Sequence, residues 1–552
     1  MDDDIDVDGD DDLDNECFPD TQTSVQSHAP ARHVAAATTP AVCEPVAVAV
    51  APSSDEPPKK RFRLNETETL ASTATALESK QMEEEPAPEA DEVGVTPGAE
   101  EEDEDANTDQ FPQSKPGFLD FFWFDAYEDP IRHPGQIYLF GKTLINERDW
   151  QSVCVLIRNI ARTVYVLPRL KNAADDIETG ERVDFQQVYK EINEKRAHLG
   201  ISKFMAKPEE KKYCFRQRAN GVPAQCTYLK VCYSFDESPF VGRGCESGAT
   251  YERVFGVRST ALELFLLEKQ VMGPCWLRVP YTRASKIVSW CKHELEIDEP
   301  VGVSLLSTNY PSPSLTVLSL SFQTVLNEKK EHEIGCISAV VEHAVGIDHS
   351  KRHHKATTTT AGTTVEYFTL IRKMDRNPLP YDLEPQLARN QYKVGASTLK
   401  TFSSERDLLS FFTTRIQNLD PDVLLGHKLY DFVLDVILHR MQVLKISTWS
   451  KLGRLRRGKI PFMKDGSLIR KWLGCGRLLV DTFISAQEFQ HHKTYSLSFL
   501  AQELLGVAKH ENLNAQKLRA HWLDGKQLAK VVLHCCNDSH LILQLMHKLQ
   551  VL

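Results

Sequence analysis

Three observations predict a multidomain protein in which an α+β unit and an α/β unit follow a disordered acidic tail. The chain has 552 residues, more than a single hydrophobic core usually serves. Its first stretch is acidic with no sustained apolar period, whereas strand and helix periods run from Phe118 onward. After Pro311 the pattern changes from mainly strands to strands alternating with helices. The expected divisions are 1–114 for the tail, 115–311 for the β-rich unit, 312–545 for the α/β unit and 546–552 for the start of a further segment.

The bulk numbers narrow the class. No run of about 18 apolar residues occurs, so no membrane span is expected. The start, MDDDIDVDGDDDLDNE, has neither the basic opening nor the apolar stretch of a secretory signal. Thirteen cysteines without a CxxC pair argue against a disulfide framework and a structural zinc site. The net charge of -12 does not exclude a nucleic-acid partner, because the acids concentrate in the tail. That tail cannot bury enough surface to offset its chain entropy, so disorder is expected. Within it, Lys59, Lys60, Arg61 and Arg63 of PPKKRFRLN read as a nuclear-import signal, the plain alternative being a solvated charge island. The acidic first residues, with Ile5, Val7 and Leu13, read either as a solvating tail or as a peptide that docks on a basic groove of a partner.

In the first folded unit the aromatic-dense FLDFFWFDAYEDP leads into strands at Gln136 to Ile145, Ser152 to Ile160 and Thr163 to Pro168, with Asn159 to Arg162 as a turn. STALELFLLEKQV reads as a helix with Leu262, Phe265, Leu266 and Lys269 on one face, and GPCWLRV and KIVSWCKHELEI read as strands. The second unit opens with strands at Leu315 to Phe322, Cys336 to Ile347 and Thr364 to Lys373, the last two separated by the His- and Thr-rich loop SKRHHKATTTTAG. Ser404 should cap a helix, with Asp407 answering it and Leu408, Phe411, Phe412, Ile416 and Leu419 as its apolar stripe. A buried strand DPDVLLG, a helix DFVLDVILHRMQVL, a strand GRLLVDTF and closing helices SLSFLAQELLG and LAKVVLHCCNDSHLILQLMHKLQ follow. This is the element order of a ribonuclease H-like sheet.

Three segments then fall in the order and spacing of exonuclease motifs: LTVLSLSFQT, DPDVLLGHKLYDF and LHCCNDSHLILQL. They resemble the 3'-5' exonuclease motifs of family B DNA polymerases. So do FWFDAYEDP, PGQIYLFGK, RNIARTVYVLPR, GPCWLRV, VSWCK, WSKLGRLRR and GRLLVDTFISAQE, and the resemblance covers roughly Phe118 to Leu552. It implies that the α/β unit is the exonuclease domain and the β-rich unit the family's N-terminal domain. The family's first motif supplies Asp-x-Glu, its second an Asp after a Phe, and its third a Tyr-x-x-x-Asp. Here Ser321 and Gln323 stand at the first two positions, Val433 follows Phe432, His534 replaces the Tyr, and Asp538 is retained. Asp431, two positions before Val433, would point off the metal face of a helix. One carboxylate cannot offset the dehydration of a pair of hard cations, so no exonuclease activity and no catalytic residue are expected. The departures match the replicative member of the family whose proofreading acids are lost.

The resemblance also implies what else the parent enzyme does and binds. Its SLYPS-like and DTDS-like palm motifs do not occur in these residues. Neither polymerase nor exonuclease activity is therefore expected of this chain alone. The end in QLMHKLQVL reads as falling inside an apolar helix, the start of a return toward the palm, and as an incomplete gene product. No cofactor is expected here, because the family's palm Mg2+ and its metal site near the carboxyl terminus lie elsewhere. The partners implied are DNA template and RNA-DNA primer, with primase subunits and an accessory subunit in the full-length protein, a replisome partner for the acidic tail, and no membrane. The setting implied is the nucleus, and the role is that of a non-catalytic portion of an enzyme that extends RNA primers. Two further readings stay open: a stand-alone polymerase-derived nucleic-acid-binding or scaffold protein, and an active proofreading exonuclease.

Other residues invite a role. Trp449, Lys451, Arg454, Arg456, Arg457 and Lys459 form a basic segment with an aromatic, suited to phosphate contacts or a domain interface, against a solvated loop as the plain alternative. His349, His353, His354, His491 and His492 lack a Cys or carboxylate at ligand spacing, so no metal is assigned to them. Asp481 reads as a structural carboxylate or a surviving acid, and Cys535 and Cys536 as packing residues.

Overall fold

A computed structural model describes residues 111–552 except 113, 147–148, 173–177, 214–221, 243, 307–309, 348–363, 376, 391–396, 459, 461–472, 509–512 and 514–516. The tail with Lys59, Lys60, Arg61 and Arg63, the loop with His349, His353 and His354, and Lys459 lie outside the described residues.

In chain order the first half contains β1 (Phe118–Glu128), β2 (Ile137–Ile145), β3 (Asp149–Ile157), β4 (Ala161–Pro168), β5 (Leu170–Asn172), β6 (Glu178–Arg182), α1 (Phe185–Leu199), β7 (Phe204–Lys212), β8 (Gln225–Ser234), β9 (Tyr251–Phe255), α2 (Ala261–Lys269), β10 (Cys275–Pro280), β11 (His293–Ile297) and β12 (Ser304–Leu305). Six of these strands make a sheet in the order β11-β3-β2-β1-β10-β12, and β7-β8-β4-β9 make a second. The near-continuous apolar run of β1 has a physical reason: both faces of its sheet are covered. Leu119, Phe121 and Trp123 pack with Phe265 of α2 on one side, and Tyr127, Tyr138 and Phe140 meet Cys475 and Leu455 from the second half on the other. Thr260 caps α2 in a capping box with Glu263, as a Ser/Thr-x-x-Glu spacing dictates.

The second half contains β13 (Leu315–Leu326), β14 (His332–Val345), β15 (Val365–Arg372), α3 (Leu383–Asn390), β16 (Ser397–Phe402), α4 (Glu405–Leu419), β17 (Val423–Gly426), a π-helical turn (Leu429–Leu434), α5 (Asp435–Val443), β18 (Leu478–Asp481), α6 (Thr482–Phe489), α7 (Leu497–Leu505) and α8 (Gly525–Leu549). Its sheet runs β16-β15-β14-β13-β17-β18. β13, β14 and β15 form an antiparallel meander, while β17 pairs parallel to β13 and β18 parallel to β17. On one face α4 and α5 cover Leu318, Leu320 and Phe322; on the other α7 and α8 cover Val317 and Val340. The side chain of Ser404 accepts from Asp407 N–H and opens α4, and Leu408, Phe412 and Ile416 are its buried stripe.

Several expectations are corrected. β16 is an extra strand, parallel to β15, because STLKTF is too short and polar to signal itself. The segment DFVLDVILHRMQVL is split, with the π-helical turn preceding α5. Only His293–Ile297 of KIVSWCKHELEI is a strand, and α1 and β7 to β9 fill a stretch where no element was expected. The last apolar helix closes within the chain, with Gln550 as a left-handed cap at φ 51°. Among the described residues no helix is long and apolar enough to cross a membrane.

Candidate functional site

The three motifs converge where the middle of the second sheet meets α8. Ser321 and Gln323 lie on β13, Phe432 and Val433 on the π-helical turn, and His534 and Asp538 one turn apart on α8. Helix α8 approaches the sheet closely because the residues facing it are small. Ser319 donates to the Ser539 carbonyl at 2.7 Å, Cys535 Sγ donates to the Ser321 carbonyl at 3.4 Å, and Ser338 Oγ donates to Cys536 Sγ at 3.3 Å. Cys535 and Cys536 are thus buried packing residues, and burial pushes the Cys535 thiol well above its usual range.

Asp538 is the one acid at the five motif positions. It is buried, and His534 Nε2 lies 3.5 Å from its Oδ2, one helical turn away. Ser321 is buried as well. Val433 belongs to the apolar core with Leu434 and Ile437, while Asp431 faces solvent, so these two residues stand on different sides of the turn. Beside them Phe322 and Phe432 stack with centroids 5.6 Å apart, and His332, bonded through Nδ1 to Thr324 Oγ1 at 2.8 Å, meets Phe432 edge-on at 5.6 Å. Around the Asp538 carboxylate the neighbouring groups at these positions are hydroxyl, amide, imidazole and aromatic. Among the described residues no three His, Cys, Asp or Glu side chains cluster as metal ligands.

Asp481 ends β18 with its carboxylate turned onto backbone. Its Oδ1 accepts from Phe483 N–H and Lys428 N–H, both at 2.9 Å, and its Oδ2 from Tyr430 N–H at 3.4 Å. Burial raises its pKa, and these N–H groups oppose the rise. It caps α6 and pins the loop that leads into the π-helical turn, a structural role.

The basic segment divides into interior and surface. Trp449 is 2% exposed, packed with Leu452 and Leu473, and donates to the Gly458 carbonyl at 3.1 Å. Arg454 is 1% exposed, and its guanidinium is filled: Asp420 Oδ1 at 3.0 Å, Asp422 Oδ1 at 2.8 Å and the Gly476 carbonyl at 2.9 Å. The expectation of phosphate contacts is therefore corrected for these two residues, which are buried and bonded within the protein. Lys451, Arg456 and Arg457 reach aromatic rings instead, Lys451 and Arg456 at Trp290 and Arg457 at Tyr127.

Behind this segment lies a buried ion network that joins the two halves. Lys142 of β2 donates to Asp422 Oδ2 at 2.8 Å and to the Ser314 carbonyl at 2.8 Å, and Arg477 lies 3.1 Å from Asp420. Burial works to raise Asp420, but Arg454 and Arg477 outweigh it and hold the carboxyl at about 2. Burial, aided by repulsion from Arg454, lowers Arg477 to about 10. Gly476, at φ +81°, donates its N–H to Asp125 Oδ2 at 2.6 Å, and burial raises Asp125 to about 6. Sequence reading missed this network because its members lie far apart in the chain. The cue available was Arg477 before LLV and the Asp-Pro-Asp before VLLG, charges beside apolar strand runs, which burial tolerates only when they are paired.

With this geometry in place the class of similar proteins can be stated: residues 252–500 match the family described as DNA polymerase family B, exonuclease domain. More particularly, the chain is similar to DNA polymerase alpha catalytic subunits. It is 36% identical over 439 residues to that of Xenopus laevis, covering 78% of this chain and 29% of the relative. It is 33% identical over 445 residues to that of Mus musculus, with the same 78% and 29% coverage, and 31% identical over 411 residues to that of Trypanosoma brucei brucei, with 72% and 28%. The chain thus spans 29% of the length of its Xenopus and mouse relatives.

Proposed function

We propose that this chain is the N-terminal, non-catalytic portion of a DNA polymerase alpha catalytic subunit, a nuclear enzyme that extends RNA primers with deoxynucleotides. In this reading residues 115–311 are the N-terminal domain and 312–545 a ribonuclease H-like exonuclease domain that has lost its activity. The observation that carries it is the set of groups at the motif positions. Ser321, Gln323 and Val433 stand where acids would hold two divalent cations, Asp538 alone remains, and Val433 is in the core. Hydroxyl and amide oxygens lack the charge that offsets dehydration of magnesium, so neither hydrolytic cation has a binding set. The sheet order, with three antiparallel strands followed by two parallel ones, supports the ribonuclease H-like assignment. Relatedness to polymerase alpha subunits over 78% of the chain supports the replicative setting, with DNA template, primase and the accessory subunit as partners. Lys59, Lys60, Arg61 and Arg63 would supply nuclear delivery.

The test is the mass of the native protein in its source cells, read with an antibody raised against residues 118–540. A band well above 62.5 kDa is expected, since a polymerase needs a palm beyond these residues. A single band at 62.5 kDa would contradict the reading and leave a stand-alone scaffold.

A further inference from the structure

We propose that two acid-free surface segments, Tyr281–Lys292 and Lys451–Gly458, form one composite site for the phosphate backbone of nucleic acid, organised around Trp290. The proposal rests on the polymerase reading above for its choice of nucleic acid over an acidic peptide. The segments come from different halves of the chain and are zipped together by backbone. Ser289 and Leu455 form an antiparallel bridge, Trp290 N–H donates to the Arg454 carbonyl at 2.7 Å, and Arg456 N–H donates to the Val288 carbonyl at 2.9 Å.

The charge follows from the sequence of the two strips. Neither contains an Asp or a Glu. Arg454 is neutralised inside, which leaves Arg283, Lys286 and Lys292 exposed on one strip and Arg456 exposed on the other, flanked by the half-buried Lys451 and Arg457. The carboxylates that approach are turned inward: Glu294 accepts from Ser289 N–H and Oγ–H, and Glu296 accepts from Ser285 and pairs with Arg158. Trp290 fixes the arrangement. Its indole N–H donates to Ser450 Oγ at 3.3 Å, while Arg456 sits 4.0 Å and Lys451 5.2 Å from its ring. Arg456, an exposed residue, also donates through Nε to the Ser289 carbonyl, which holds its guanidinium in place.

Because the ring of Trp290 is already engaged by cations, it is not a stacking platform for bases. Recognition is through charge, independent of sequence, and steeply dependent on salt. The test uses the full chain and fluorescence anisotropy with a labelled mixed-sequence single strand and the matching duplex, across a salt series. The variant Arg283→Ala/Lys286→Ala/Lys292→Ala changes exposed side chains only. It is expected to weaken binding about tenfold or more at low salt and to lower the salt slope by about 2 for the single strand or about 3 for the duplex, the loss of three phosphate contacts. Trp290→Phe keeps a ring beneath the cations and is expected to bind nearly as the parent does; Trp290→Ala is not. An effect confined to the single strand, or to the duplex, assigns the site to that form. If the parent binds and the triple variant binds with equal affinity and slope, this site is wrong while the polymerase reading stands. If the parent binds neither probe at low salt, both the site and the nucleic-acid contact fail.

Discussion

Val433 illustrates how the surroundings of a single position limit what can stand there. At 6% exposure, among Leu434 and Ile437, it occupies a place that only an apolar group fills without a partner. Val433→Asp is expected to cost about 3 kcal/mol or more, seen as a lower urea midpoint, and to restore no nuclease. Asp481 makes the opposite case, a carboxylate kept for its hydrogen bonds. Asp481→Ala strands the N–H groups of Phe483, Lys428 and Tyr430 and is expected to cost about 2 kcal/mol in the same measurement, with Asp481→Asn milder because one oxygen remains. The motif residues were named from the family resemblance, while the strand and helix periods around them announced only the elements β13 and α8 that carry them. The basic segment was legible only as charge. Nothing local separates Arg454, whose carboxylate partners lie 34 and 32 positions away, from Arg456, which faces solvent.

At the level of elements, the strongest periods were the most readable. α4, α8 and β13 each carry a clear apolar face, and each formed where the pattern placed it. α1 escaped notice because only Val188 and Ile192 are buried in its 15 residues, so its helical stripe is thin. The approach of β2 to the turn before β18 was equally invisible, although one glycine marks it. A Cβ on Gly476 would stand 2.6 Å from Arg454 Cβ and 2.7 Å from the Phe140 ring, at a φ that favours glycine. Gly476→Ala is therefore expected to lower the thermal midpoint by an amount equivalent to about 2 kcal/mol or more.

Across the whole molecule, the ion network between the two halves sets the acid response. Asp420 is held at about 2 against an ordinary 3.8. A carboxyl whose folded pKa is depressed contributes stability above its unfolded value and loses it as pH falls. Asp420 should thus contribute on the order of 2 kcal/mol above about pH 4, lost between about pH 4 and pH 2. Equilibrium urea unfolding across that range is expected to show the slope in the parent. Asp420→Asn should flatten it and also reduce stability at pH 7, since Arg454 and Arg477 are left without their shared carboxylate.

The proposal that residues 312–545 form an exonuclease domain unable to hold its cations is tested directly by one measurement. The purified chain is incubated with a 3'-mismatched, end-labelled primer-template and magnesium, beside Asp538→Ala. The expected result is no release of nucleotide by either protein above a buffer control. Release by the parent that Asp538→Ala abolishes would contradict it and show that one carboxylate, with hydroxyl and amide neighbours, is enough.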